Sequence, residues 1–346
     1  MIKEAIGLLV AGKSLTTAQA ALATEEMMRG EATPAQIGSF LTALRVKGET
    51  VDEITGMART MRANAIPVVT EGNTVDTCGT GGDGTHTFNI STAAALIAAG
   101  AGLKIAKHGN RAASSRCGSA DVLEALGVKI DLNAAQVAAC LQEVGIGFMF
   151  APAFHPATKH AAGPRRELGI RTVFNILGPL TNPAGASAQL LGVADESLLE
   201  IMAAVLNKLG SRHVLVVHGQ DGMDEMTVTG ETRVCELREG RISRYTVTPE
   251  DCGLPRTSMK SLLGGTAEEN AVQVRRLLAG AAGPQTDAAL LNAGAALFAG
   301  DMAGSLRQGI DMAREAIGSG RAAGKLERLA EMSQQIGRGR GGGGRS

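Results

Sequence analysis

The chain has 346 residues, 44% of them apolar, which supports a substantial core and favours two domains. Its 34 Lys and Arg residues balance 34 Asp and Glu, so bulk charge advertises neither nucleic acid nor an anionic membrane as a partner. No Trp, one Tyr and seven Phe argue against a site built mainly from large aromatics, and five scattered cysteines without a CxxC spacing argue against zinc and for a reduced, cytoplasmic setting.

The opening MIKEAIGLLVAGKS is too short and interrupted for a signal peptide, and no apolar run reaches membrane-spanning length. Residues 1–64 read as helices. Thr16 or Thr17 caps one that Gly30 ends, and Thr33 caps a second with Pro34 in its first turn and Gly48 at its end. Ile37, Phe40, Leu41 and Leu44 recur at helical spacing, and a third helix follows from about Thr50 to Met61. No chemistry is visible on this bundle, whose plain role is packing or self-association.

After Pro67, short apolar runs alternate with helical stretches, the pattern of an α/β domain. LKIAKH reads as a strand, and STAAALIAAGAG and SADVLEALG as helices. HVLVVHG at 213–219 is the clearest buried strand, and 231–248 suggests two exposed strands around Glu239-Gly240. Helices are expected at about 266–279, 286–299, 301–317 and 321–335. GRGRGGGGRS cannot build a core and is expected to be a disordered tail, with an RNA-binding role or a fusion remnant as alternatives.

Four segments carry chemistry. DTCGTGGDG at 76–84 follows a probable strand, and Ser91-Thr92 open the next helix. Glycine turns let a ligand approach backbone N–H groups, and a helix N-terminus adds free donors, so this is a phosphate cradle. It matches neither a Walker A nor a dinucleotide fingerprint; the bland alternative is a tight strand–turn–helix connection. The run from Lys104 to Arg111 offers Lys107 and Arg111 to a pyrophosphate, and Ser114, Ser115, Arg116 and Ser119 follow, with Ser119 as a helix cap. Lys107 could instead be a surface charge and His108 a structural histidine. In 150–183, Arg165 or Arg166 could hold a carboxylate bidentately, while Gly-Pro and Asn-Pro steps define rigid turns suited to a hinge. Asp224-Glu225 follow the buried strand; adjacent carboxylates need a compensating cation, and Mg²⁺ with a pyrophosphate supplies one, unless the pair lies in a solvated turn.

Taken together in this order, DTCGTGGDG, FNIST at 88–92, KHGNR at 107–111, GSADVLEALG at 118–127, FHPATKH at 154–160, GPRRELGIRTVFNILGPLTNP at 163–183 and DGMDE at 221–225 resemble the anthranilate phosphoribosyltransferase family from residue 1 to about 335. The resemblance implies a small all-helical domain at 1–66, joined by part of 163–185, and a large α/β domain at 70–335 of the nucleoside phosphorylase/phosphoribosyltransferase class with a mostly parallel sheet. The active site would lie at the hinge, with 336–346 as the tail. It implies transfer of phosphoribosyl from phosphoribosyl pyrophosphate (PRPP) to anthranilate, in tryptophan biosynthesis, by a Mg²⁺-dependent cytoplasmic homodimer joined through the helical domain. No nucleic acid or membrane is involved.

By that resemblance Gly79, Gly82, Asp83, Thr87, Asn89, Ser91, Thr92, Lys107 and Ser119 contact PRPP, and Ser91, Asp224 and Glu225 attend the metal. Asn110, His155 and Arg165 face anthranilate, with His108 and Pro179 lining its site. Arg165 is preferred to Arg166 because it aligns with the family's carboxylate-binding position. Thr158, Arg116 and Cys117 depart from the family pattern: the first would reshape the anthranilate channel, the others the phosphate contact. A pyrimidine nucleoside phosphorylase of the same fold, or a non-catalytic nucleic-acid-binding homologue, are the competing readings.

Overall fold

A computed structural model describes residues 1–112 and 116–338. Helices α1 (Ile2–Val10), α2 (Thr17–Met28), α3 (Pro34–Lys47) and α4 (Val51–Ala63) form the N-terminal bundle. Thr16, Thr33 and Thr50 each accept from the backbone N–H three residues on, and Gln19, Gln36 and Glu53 return the bond to the cap, so three successive helices start on the same capping box.

Beyond the bundle come β1 (Val75–Gly79), α5 (Ile90–Gly100), β2 (Ile105–Gly109), α6 (Ser119–Ala125), α7 (Ala134–Glu143) and β3 (Ile146–Phe150). The hinge segment holds α8 (Ala151–Phe154), α9 (Lys159–Leu168) and α10 (Phe174–Leu177). There follow β4 (Ala188–Gly192), α11 (Leu198–Lys208), β5 (His213–Gly219), β6 (Thr232–Arg238) and β7 (Arg241–Val247). The chain closes with α12 (Ala267–Leu278), α13 (Pro284–Ala299), α14 (Leu306–Gly318) and α15 (Arg321–Arg338).

The strands form one sheet in the order β3-β2-β1-β4-β5-β6-β7, parallel through β5 and antiparallel at β6 and β7. Chain order reverses between β1 and β4, and in open α/β sheets a crevice forms at the carboxyl ends of strands flanking such a point. Helices α5 and α13 pack together beneath one face, where α5 is apolar nearly all round because it is buried nearly all round. The opposite face shares a core with the bundle: Val214, Val216 and Leu191 of the sheet, Met202 and Leu206 of α11, and Phe40, Leu41 and Met57 of the bundle belong to one apolar cluster. The hinge segment joins this cluster through Ala161, Phe174 and Leu177, with α9 against α3.

Several local expectations change. Strand β6 is half-buried rather than exposed, with Val234, Cys235 and Leu237 facing the core. Residues 301–305 are not helical; Asp301 takes a left-handed backbone and Ser305 caps α14. Gly163-Pro164 is not a turn but lies inside α9. Gly118, not Ser119, is the cap residue of α6, and the Asp121 carboxylate accepts from its N–H. Helix α15 takes in Ile336–Arg338 of the expected tail; residues 339–346, and Ser114 and Ser115, lie outside the described residues.

Candidate active site

A cavity of about 380 Å³ opens at the carboxyl ends of β1 and β2, beside the β1–β4 reversal. Its position follows from two glycines. Gly79 and Gly192 end neighbouring parallel strands and are direct partners in register. A Cβ on Gly79 would run into the Asp224 carboxylate, and one on Gly192 into the Asp224 backbone. Two missing side chains therefore seat Asp224 against the strand ends, where its Oδ2 accepts from the Gly81 N–H at 2.7 Å. Gly82, at φ 74°, likewise leaves room that the Arg171 guanidinium fills.

Asp224 and Glu225 both line the cavity. Burial first, and then Asp83, raises Asp224 to about 6; burial, and then Asp224 itself, raises Glu225 to about 8. Lys107 is no surface charge: it is 2% exposed and donates to the Thr77 carbonyl at 2.5 Å and to Ser91 Oγ at 3.3 Å. Beneath it lies buried Asp76, which accepts from the His108 N–H and from Asn182 Nδ2. Burial pushes the Asp76 carboxyl up and the Lys107 ammonium down, and their mutual attraction opposes both shifts.

The cavity gathers Gly79, Gly82, Asp83, Thr87, Asn89, Ser91, Lys107, Ser119, Asp224 and Glu225 with His108, Asn110, Arg165 and Pro179. Two expected residues are absent from its wall. Thr92 lies one helical step from Ser91 and points into the core, its Oγ1 without a hydrogen-bond partner. His155 is buried behind His108, the ring centroids 5.1 Å apart. Burial holds both imidazoles well below their ordinary value, His108 at about 3 and His155 at about 4. Arg165 is half-buried with its guanidinium 4.8 Å from the Phe174 ring centroid, whereas Arg166 is exposed and off the wall. Arg111 reaches the wall, but its guanidinium is committed to Asp121 and Glu124.

Residues 3–65 match the glycosyl transferase family, helical bundle domain, and residues 71–323 the glycosyl transferase family, a/b domain. An anthranilate phosphoribosyltransferase of Moorella thermoacetica is 59% identical over 330 residues, 95% of this chain and 97% of its own. The chain belongs to the anthranilate phosphoribosyltransferase family. The crystal structure of the Thermus thermophilus member superposes with a TM-score of 0.91 at 46% identity, covering 95% of this chain and 99% of that one. The Saccharomyces cerevisiae member in complex with PRPP and Mg superposes at 0.89 with 28% identity, covering 96% and 98%.

Against the family pattern, Thr158 is not on the cavity wall; its hydroxyl donates to the His155 carbonyl. Arg116 is exposed and off the wall as well, whereas Cys117 is on it, its carbonyl accepting from Asn89 Nδ2. Arg171, His86 and Asn175 also line the cavity. None of the three is among the residues expected at the site. Arg171 carried a signal in hindsight, since it is a cation inside the Gly- and Pro-rich hinge run; His86 and Asn175 carried none.

Proposed function

We propose that the chain transfers the 5-phosphoribosyl group of PRPP to the amine of anthranilate, giving N-(5-phosphoribosyl)anthranilate and pyrophosphate. The observation that carries this reading is one cavity whose wall brings together two chemically different sets of groups. The glycine loop, the start of α5 and Lys107 offer backbone N–H groups, hydroxyls and a cation, which suits a ligand rich in phosphate oxygens. Arg165, Asn110, His108 and Pro179 offer a planar cation, an amide and a ring-sized wall, which suits an aromatic carboxylate.

In the reaction the amine nitrogen bonds to C1 of the ribose as the bond from C1 to the pyrophosphate oxygen breaks, with inversion, and the amine then loses a proton. An aromatic amine is neutral and needs no deprotonation before attack. His108, held neutral by burial, is a weak base at neutral pH, so its role is to line and orient. Arg165 and Asn110 align the amine, a contribution of orientation. Lys107 and the loop N–H groups stabilise the departing pyrophosphate.

Asp224 and Glu225 fit a Mg²⁺ ion. Among the described residues no cluster of three or more His, Cys, Asp or Glu could hold a metal alone, but Mg²⁺ bound to a pyrophosphate needs only one or two protein carboxylates. Burial leaves both carboxyls short of compensating charge, and Ser91 adds a hydroxyl nearby. When bound, the ion would neutralise charge developing on the leaving group.

The reading extends to a cytoplasmic homodimer, acting in tryptophan biosynthesis, with residues 1–66 and part of 163–185 as the joining domain and 70–335 as the catalytic one. Exposed Val10, Leu22 and Val46 on the bundle support self-association, and five scattered cysteines without a CxxC spacing support a reducing compartment. Chromatographic detection of N-(5-phosphoribosyl)anthranilate and pyrophosphate in equal amounts tests the reaction. Analytical ultracentrifugation tests the dimer.

A further inference from the structure

Asn89 stands at the N-cap of α5, where an asparagine ordinarily accepts from the first-turn N–H groups. It does not do so here. Its Oδ1 accepts instead from Asn270 Nδ2 at 2.9 Å, and its Nδ2 donates to the Cys117 carbonyl at 3.1 Å. In the first turn of α5 the Ile90 N–H donates to the Phe88 carbonyl at 2.7 Å, and the Ser91 N–H to the Glu225 carboxylate.

Asn270 lies 181 residues further along the chain, in α12, and is 1% exposed. Its own Oδ1 accepts from the Gly265 N–H at 2.7 Å, which fixes which way round the amide sits. The segment leading to it runs against the exit of the glycine loop. Phe88 N–H donates to the Leu262 carbonyl at 3.0 Å, Gly264 N–H donates to the His86 carbonyl at 2.9 Å, and Thr87 and Leu263 form an antiparallel bridge. A Cβ on Gly264 would collide with the Phe88 backbone at 2.8 Å, so the approach requires glycine. Between these bonds His86 is held at φ 54°, a conformation a non-glycine residue seldom adopts.

We propose that Asn270 is a positioning residue for PRPP: it fixes the Asn89 amide on the cavity wall, its oxygen turned away from the helix cap, beside the glycine loop that takes the phosphates. Asn270 does not line the cavity; it reaches the wall through Asn89 and through the Cys117 thiol, which it also hydrogen-bonds. Without its donor, the Asn89 amide keeps only its bond to the Cys117 carbonyl and is free to turn from its place on the cavity wall. This inference rests on the phosphoribosyl-transfer reading for the identity of the ligand.

The test uses Asn270→Asp and Asn270→Ala in the full chain. Asn270→Asp keeps an acceptor for Gly265 but removes the donor to Asn89; Asn270→Ala removes both without adding charge. Each is assayed for steady-state turnover of anthranilate and for calorimetric binding of PRPP with Mg²⁺, beside a thermal melt. Both variants are expected to weaken PRPP binding about tenfold, the scale of one lost buried hydrogen bond, with the anthranilate KM within about twofold of the parent. In an Asn89→Ala background, Asn270→Asp, which keeps the acceptor for Gly265, is expected to weaken PRPP binding by no more than about twofold further. Unchanged PRPP affinity in Asn270→Asp, equal loss in both KM values, or full additivity with Asn89→Ala would overturn the proposal. If the parent protein failed to turn over anthranilate, the reaction would be misread, yet PRPP calorimetry on the variants would still decide the role of Asn270.

Discussion

The rings of His108 and His155 stack in a tilted pair 5.1 Å apart, and each keeps a buried Nε2 without a hydrogen-bond partner. Burial lowers His108 to about 3, helped by His155 next to it, and burial lowers His155 to about 4. In the unfolded chain both return to about 6.5. Below that value the unfolded state takes up protons that the folded state refuses, so the pair destabilises the fold increasingly as pH falls from 6.5 towards 4. The pair should therefore pull the midpoint of thermal unfolding down across that window, against the opposite pull of the raised Asp224 and Glu225 carboxyls. His155→Gln should show a shallower drop, whatever its midpoint at pH 7; a slope equal to the parent's would remove the histidine pair as its source.

Glu53 is fully buried and accepts from the Leu15 and Thr50 N–H groups while pairing with Lys47 at 2.9 Å, so one carboxylate ties α3, α4 and the approach to α2. Glu53→Ala leaves Lys47 and two backbone donors uncompensated, and should cost about 3–5 kcal/mol of stability. Urea unfolding would read this as a lower midpoint at constant slope.

Arg165 and Arg171 lie on the same hinge segment and both line the cavity, the first beside the Phe174 ring and the second against Gly82 of the glycine loop. Arg165→Lys keeps the charge and loses the fork, and should raise the anthranilate KM by about 10- to 100-fold, as for a lost hydrogen bond to a charged group of about 1.5–3 kcal/mol. Arg171 makes no ion pair among the described residues and packs on Gly82 of the glycine loop. Arg171→Gln should raise the PRPP KM by about fivefold or less, as for an exposed cation, and the effect should shrink in high salt. Steady-state kinetics in each substrate separates the two arginines.

Much of the site was legible because its chemistry is local. Three capping boxes announce the bundle helices within four residues each, and the glycine loop, Lys107 and the acidic pair stand out by residue type. What escaped depends on direction or on distance along the chain. Ser91 and Thr92 are equal candidates in the sequence, yet one helical step turns the first to the cavity and the second to the core. Gly192 and Asn270 carry no local signal of function. Gly192 matters because β4 lies beside β1, and Asn270 because α12 returns to the start of α5. The bundle reads as a separate unit in sequence, but periodicity cannot show that its apolar side meets α11 and the sheet in one core.

The most direct test of the central claim is anthranilate fluorescence during incubation of the purified protein with PRPP and Mg²⁺. The account predicts a PRPP-dependent loss of signal that disappears when Asp224 and Glu225 are both replaced by Ala. A folded protein that binds PRPP and leaves the anthranilate signal unchanged would contradict it.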